Sequence, residues 1–277
     1  MTLLLIGMLF MVVSNAREEI PELFQHLAKT LEMPPTANWQ DYRQSFISRW
    51  GRKPGQERWE LPPVKFSEEK QQRVYEALDT LGLLSAWEPQ EKFYDYAILP
   101  GAVLPTIKTR LDWLLGLWQK GIRFRQLVVL TGQRPLVDRI DRVSEVMPNL
   151  HSDQYPMHET EAARLLVHTT PLPKGMEKVE KVFFDSPRIW QDNRWERPNT
   201  GTTVAAWMKH NPQPGRVLLI SSQPSAHYQD AVFKNLLPDT FSVETSAPAL
   251  AFDTPLSVLL DAVAVWLRSS SIPPAIK

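Results

Sequence analysis

Three short apolar runs, each ending in small or hydroxylated residues, restrict the folds open to this chain. They read YDYAILPG at 94–101, QLVVLTG at 126–132 and RVLLISS at 216–222. Short apolar runs bounded by turn residues are typical of the buried strands of a parallel sheet. Because ligands bind beyond the carboxyl ends of such strands, we expect the functional site where these runs end.

Strand and helix patterns alternate between residues 91 and 269, which favours an α/β fold over an α+β fold. The predicted strands are 94–99, 126–131, 180–184, 216–221 and 241–244, and the predicted helices are 104–120, 135–146, 159–169, 200–210, 227–236 and 255–268. We therefore predict a three-layer, Rossmann-like α/β domain with a mostly parallel sheet over 91–269.

Residues 17–90 show a helical pattern instead, in which Leu23, Leu27 and Leu31 recur at helical spacing. Glycine and proline interrupt this pattern between residues 50 and 63, where we predict a loop. The sequence thus predicts a helical N-terminal section ahead of the α/β domain, and a frayed tail over 270–277.

The first 16 residues resemble a signal peptide, with an apolar run followed by Ser14-Asn15-Ala16. The run is shorter than the roughly 20 apolar residues that span a bilayer, so we expect cleavage after Ala16 and a periplasmic or secreted protein without a membrane span. An uncleaved N-terminal membrane anchor is the alternative. Cysteine is absent, which excludes disulfides, a thiolate nucleophile and a lipid-modified cysteine.

Charge and histidine spacing argue against two classes of partner. Lysine plus arginine and aspartate plus glutamate both number 31, so no basic surplus is available for nucleic acid. The six histidines show no zinc-binding spacing, and we predict no metal site. Oxygen ligands from Glu159 and Asp185, with His158 nearby, stay open as a cation site if the fold brings them together.

Small, flexible and cationic residues follow the first two runs. Gly101 allows a ligand to approach the backbone, and Arg110 lies about two turns into the next helix. Thr131, Gly132 and Arg134 end the second strand with a hydroxyl, a flexible backbone and a guanidinium, a combination that suits an anion. A plain turn at Gly101 and a solvated charge at Arg110 are the alternatives.

Three later segments complete the candidate site. A helix opens at His158-Glu159-Thr160-Glu161, where dipole stabilisation alone accounts for Glu159. The loop 185–200 interleaves arginine and tryptophan, which either clamp a flat or phosphorylated ligand or belong to a loop that packs down its own tryptophans, before Asn199 and Thr200 open a helix. Ser222 and Gln223 end the last central strand without the G-x-S-x-G elbow of serine hydrolases.

Taken in order, YDYAILPGA, Arg110, LVVLTG, TEAA, the Asn199-Thr200 pair and LLISSQP resemble the domain family shared by SanA, YdcF and ElyC. The resemblance covers roughly residues 94–237. It implies a Rossmann-like domain of the bacterial envelope with a polar pocket at the strand ends, linked to peptidoglycan or lipid-carrier metabolism, and one member binds S-adenosylmethionine. The residues it implies for the pocket are Gly101, Arg110, Thr131, Gly132, Glu161, Asn199, Thr200 and Ser222.

The chain departs from the family pattern at two places. The usual Asn-Thr-x-Glu-Asn run is replaced at 199–203 by NTGTT, and the usual histidine and arginine after the last central strand are replaced by Gln223-Pro224 and Tyr228-Gln229. An acid, an amide and a cation are therefore missing from the family's site. The sequence identifies no cofactor.

From the sequence we predict an exported protein that binds a small anionic or nucleotide-like ligand at the strand ends, with Arg110 and Arg134 neutralising its charge. If the protein is an enzyme, Glu161 is the predicted general base or metal ligand. The alternative is a secreted binding or effector protein that keeps the fold and acts through a protein partner.

Overall fold

The structure is a computed structural model that describes residues 19–191, 193–251 and 254–270. The predicted signal peptide lies outside the described residues, as does the predicted tail apart from residue 270.

Five parallel strands form the central sheet, which confirms the predicted α/β, Rossmann-like fold. The strands are β1 (Phe93–Pro100), β2 (Arg123–Gly132), β3 (Glu180–Ser186), β6 (Arg216–Ile220) and β7 (Ser242–Ser246), and they lie in the order β3-β2-β1-β6-β7. A two-stranded antiparallel hairpin, β4 (Ile189–Gln191) and β5 (Arg194–Glu196), interrupts the predicted loop 185–200. The order of strands reverses between β1 and β6, which is where ligands bind in open sheets of this kind.

Ten α-helices flank this sheet or precede it in the described part of the chain. They are α1 (Glu22–Thr30), α2 (Trp39–Trp50), α3 (Glu68–Thr80), α4 (Leu104–Gln119), α5 (Asp138–Asp141), α6 (Val143–Val146), α7 (Glu159–Thr169), α8 (Thr200–Met208), α9 (Ala226–Leu236) and α10 (Leu256–Ser269). No helix among the described residues is long and apolar enough to cross a membrane.

The helix predicted over 135–146 is wrong in one respect, because the structure has two four-residue helices there. They are separated by Arg142, whose left-handed backbone (φ 45°, ψ 51°) ends α5. The buried carboxylate of Asp141 accepts hydrogen bonds from the amides of Leu104 and Val137 and from Arg134. Because these bonds hold the surrounding backbone against the Asp141 carboxylate, one continuous helix does not form.

The sheet is covered on both faces because successive strand residues point in opposite directions. Ala97 and Leu99 of β1 pack with α4 and α7, whereas Ile98 packs with α8 and α9. All three side chains are fully buried. This alternation explains why the strand runs are apolar on both sides.

The N-terminal helices pack on α10 and share a second core with it. The ring of Phe24 lies 5.0 Å from Trp39 and 5.3 Å from Trp266, centroid to centroid. Arg43 donates two hydrogen bonds to the carbonyl of Leu267, at 2.9 and 2.7 Å. Helices α1 and α2 are thereby held against α10 of the α/β domain.

Candidate functional site

Arg110 brings three of the predicted residues together at the end of the sheet. It lies on α4 with 2% of its surface exposed. Its Nη1 donates to the carbonyls of Pro100, at 2.9 Å, and Gly101, at 3.3 Å, and its Nε donates to Ser222 Oγ at 3.2 Å. The guanidinium therefore joins the carboxyl end of β1 to the residues that follow β6.

No carboxylate among the described residues lies within ion-pair distance of Arg110. Burial lowers the pKa of Arg110 to about 10, Glu159 acts against this shift, and Arg58 adds to it by charge repulsion. The group is still protonated at neutral pH. Buried charges in proteins are ordinarily paired, so an unpaired guanidinium at a strand end indicates a place for an anion.

A second guanidinium reaches the same place from the N-terminal section. Arg58 Nη1 donates to Ser225 Oγ at 3.4 Å, and its Nε lies 3.3 Å from Asp261 of α10. Although 30% of the side chain is exposed, loss of hydration at the guanidinium lowers the pKa of Arg58, an effect that Asp261 opposes. Asp261 also binds Arg52, at 2.9 Å, so one carboxylate serves two cations.

A short turn links the residues that bind the two arginines. The amide of Ser225 donates to the carbonyl of Ser222, at 2.8 Å, and the Gln223–Pro224 peptide between them is cis. Helix α9 begins at the next residue, with no acidic residue in its first turn and no capping bond from the Ser225 side chain. The start of a helix carries the positive end of its dipole and favours an anion, and here it lies beside Arg110 and Arg58.

Arg134, by contrast, is already neutralised within the protein. Its guanidinium binds both oxygens of Asp141, at 2.7 and 2.9 Å, and Glu159 Oε2 at 3.0 Å. Burial alone would lower the pKa of Arg134, but these two carboxylates raise it. The predicted role of Arg134 in neutralising a ligand is therefore replaced by a structural one.

The structure places Glu159, and not Glu161, next to the strand ends. A Cβ at Gly101 would clash with Glu159 Oε1, so the close approach of this carboxylate requires glycine there. Burial raises the pKa of Glu159, which Arg134 partly offsets.

Glu161 projects from the same helix in another direction. Half of its side chain is exposed, and its Oε2 accepts from the Met157 amide at 2.7 Å. It lines a surface depression of about 480 Å³ together with Tyr155, Arg164 and His168. The TEAA motif contains Glu161 alone, and because residues two apart on a helix face different sides, it selected an acid that points away from the strand ends.

The remaining predicted residues lie at the edge of the site. Thr131 Oγ1 donates to the Phe184 carbonyl at 3.2 Å, and Pro198 covers Gly132, where a Cβ would lie 2.5 Å from its Cγ. Asn199 caps α8 by accepting from the Thr202 amide at 3.1 Å, as predicted from the sequence. No described contact joins Asn199 or Thr200, the first residue of α8, to Arg110.

Two buried polar atoms at the strand ends have no hydrogen-bond partner. Gln223 Nε2 donates to the carbonyls of Gly82 and Ser85, at 2.9 and 3.0 Å, but its Oε1 is unpaired. Ser186 Oγ, at the end of β3, is unpaired as well. Unsatisfied buried polar atoms are uncommon in native proteins and often mark functional sites.

Sequence reasoning missed Arg58, because the loop 50–63 was assigned only by its glycines and prolines. Its one available signal was the density of cations, with Arg52, Lys53 and Arg58 close together. Within the described ranges, no group of three or more histidine, aspartate or glutamate side chains is arranged to hold a metal ion.

Comparison of the chain with protein-family models gives no match, and no curated protein matches it. Membership of the SanA, YdcF and ElyC family stays a prediction from the motifs.

Proposed function

We propose that this protein binds a small phosphate-like anion at the start of α9, between Arg110 and Arg58. The observation that carries the proposal is the guanidinium of Arg110, which is buried at the strand ends without a carboxylate partner. An anion would supply the missing counter-charge. It would also relieve the repulsion between the two arginines.

A phosphate group suits the donors available there. Arginine presents a fork of N–H groups that matches phosphate oxygens, and Arg110 and Arg58 approach from α4 and from the N-terminal section. The hydroxyl of Ser225 adds an uncharged donor, and the start of α9 adds the positive end of its helix dipole. Two cations favour a doubly charged ion over a single carboxylate.

The N-terminal leader and the family resemblance support a location for this function. We propose that the protein is exported and acts in the bacterial envelope, where the resembling domains are linked to peptidoglycan or lipid-carrier metabolism. The donors described above account for binding, and no reaction is assigned to them.

Calorimetric titration of the full chain with inorganic phosphate tests the proposal. We expect phosphate to bind the wild type, Arg110→Met to abolish binding and Arg58→Gln to weaken it. Phosphate at about 100 times its dissociation constant should also stabilise the wild type by roughly 2.7 kcal/mol. Ionic strength is held constant with sodium chloride, because salt screens exposed charges.

The matched control is Glu161→Gln, which changes a charge near the sheet but outside the site and keeps the acceptor for the Met157 amide. This variant should bind phosphate as the wild type does. If the wild type shows no binding, or if Arg110→Met binds equally well, the proposal is wrong, and an interaction with a protein partner becomes the better hypothesis.

A further inference from the structure

The β4–β5 hairpin presents two tryptophans to solvent. Trp190 and Trp195 are directly opposite each other across the hairpin, so both project from the same face. Each is 56% exposed, and their rings meet edge to face at 5.4 Å. The loop 185–200 therefore does not bury its own tryptophans, which was one of the two interpretations of its sequence.

The hairpin stands beside the arginine that belongs to the anion site. Arg197, which directly follows β5, forms an ion pair at 2.9 Å with Glu57, the residue before Arg58. Arg194 lies next to Gly55, where a Cβ would be 3.0 Å from its Nη1. Trp195 lies between Arg194 and Arg197 in the sequence, so its backbone is held close to the loop that carries Arg58.

The residues on either side of the hairpin contact the carboxyl end of the central sheet. Ser186, just before it, accepts a hydrogen bond from the Gln133 amide at 2.9 Å, and Pro198, just after it, packs on Gly132. A ligand that extends from the anion site past Arg58 would therefore meet the tryptophan pair. The hairpin and the anion site are thus both attached to the loop that carries Arg58.

We propose that this hairpin binds the base of a nucleotide whose phosphate is held by Arg110 and Arg58. The inference rests on the proposed function and specifies its ligand class. Exposed aromatic rings next to a cationic site stack on nucleobases, and this stacking does not depend on which hydrogen-bond donors and acceptors the base carries. The guanidinium of Arg188, 5.2 Å from the Trp195 ring, strengthens such a stack by a cation–π contact.

A base fits this surface better than a sugar ring does. Sugars are held chiefly through their hydroxyl groups, which need free polar partners, whereas two of the three arginines in this segment are ion-paired and the third, Arg188, lies over the Trp195 ring. Arg194 is paired with Glu196 at 2.5 Å, and Arg197 is paired with Glu57. Stacking alone is sufficient for a base.

Calorimetric titration of the full chain with AMP, ribose 5-phosphate, glucose 1-phosphate and inorganic phosphate tests the inference. We expect AMP to bind about 5- to 150-fold more tightly than ribose 5-phosphate, the range that stacking one base provides. The double variant Trp190→Ala/Trp195→Ala should lose this advantage and bind phosphate as before. Replacement of both tryptophans by phenylalanine should retain most of it.

Phe93→Ala is the matched control, because Phe93 is 69% exposed at the opposite end of β1, and it should leave every affinity unchanged. Equal affinity for AMP and ribose 5-phosphate would overturn the base-binding role and leave phosphate binding intact. A glucose 1-phosphate advantage that disappears in the double variant would also overturn it. Failure of both phosphate and AMP to bind would overturn the proposed function itself.

Discussion

Replacement of Arg110 by methionine separates a ligand-binding charge from a structural one. The fold lowers the pKa of Arg110 from its ordinary value to about 10, which means that it disfavours the charged side chain by about 3 kcal/mol relative to water. The penalty is fully present at pH 7, because the group is protonated in both the folded and the unfolded state. Methionine removes it.

Methionine also removes the three hydrogen bonds of Arg110, to Pro100, Gly101 and Ser222. At a net value of about 1 kcal/mol each, their loss costs about 3 kcal/mol. The two effects are similar in size and opposite in sign. We therefore expect Arg110→Met to change the free energy of unfolding by no more than about 1 kcal/mol while it abolishes anion binding.

The matched comparison is Arg134→Met, which leaves Asp141 and Glu159 buried without their cation. Breaking a buried ion pair from one side costs about 3 to 5 kcal/mol. Urea denaturation at pH 7, followed by circular dichroism with and without phosphate, measures both variants. If Arg110→Met is destabilised as strongly as Arg134→Met, then Arg110 is a structural residue, and the assignment of its charge to a ligand is refuted.

Two further predictions concern the surroundings of the site. Gly101→Ala should lower the free energy of unfolding by about 1 to 3 kcal/mol, because the new Cβ displaces Glu159. Gly116→Ala, inside a helix with open space around it, should raise the free energy of unfolding by about 0.5 to 1 kcal/mol. Urea denaturation measures both variants, and equal effects would contradict the packing around Gly101. Burial acts to raise the pKa of Asp141, but Arg134 and two backbone amides lower it below 3.8, so its stabilising contribution is present above pH 3.8 and lost as the pH falls further. The wild type should therefore lose stability more steeply below this pH than Asp141→Asn does, and parallel urea titrations between the two would count against this pKa shift.

The central sheet was predictable because both of its faces are buried. All five parallel strands lie within three residues of the predicted ranges, as at 126–131 for β2 and 180–184 for β3. Double-sided burial requires apolar residues in succession, and short runs of that kind are visible without knowledge of the fold. The hairpin was not visible in this way, since its alternating residues are exposed or charged.

The site was only partly predictable, because its residues depend on long-range packing. Gly101 and Ser222 could be located, since strand ends of a parallel sheet converge at one edge. Arg58 could not, because its place at the site depends on its pairing with Asp261, which is buried on α10 far along the chain. Its position follows from the way the N-terminal helices pack on that helix.

The unpaired charge of Arg110 bears on the choice between a ligand site and a partner surface. A protein that acts only through an exposed surface has no use for a guanidinium that is 2% exposed and disfavoured by its surroundings. An apolar residue at this position would leave such a surface unchanged at nearly the same free energy of unfolding, because the cost of the unpaired charge and the gain from its three hydrogen bonds nearly cancel. An anion-binding role accounts for this cost, since sites that must hold a charged ligand keep groups that do not stabilise the empty fold. By the same reasoning Arg134, whose charge is balanced by Asp141 and Glu159, contributes to stability, and Arg110 and Arg58 are the arginines that we propose to bind the ligand.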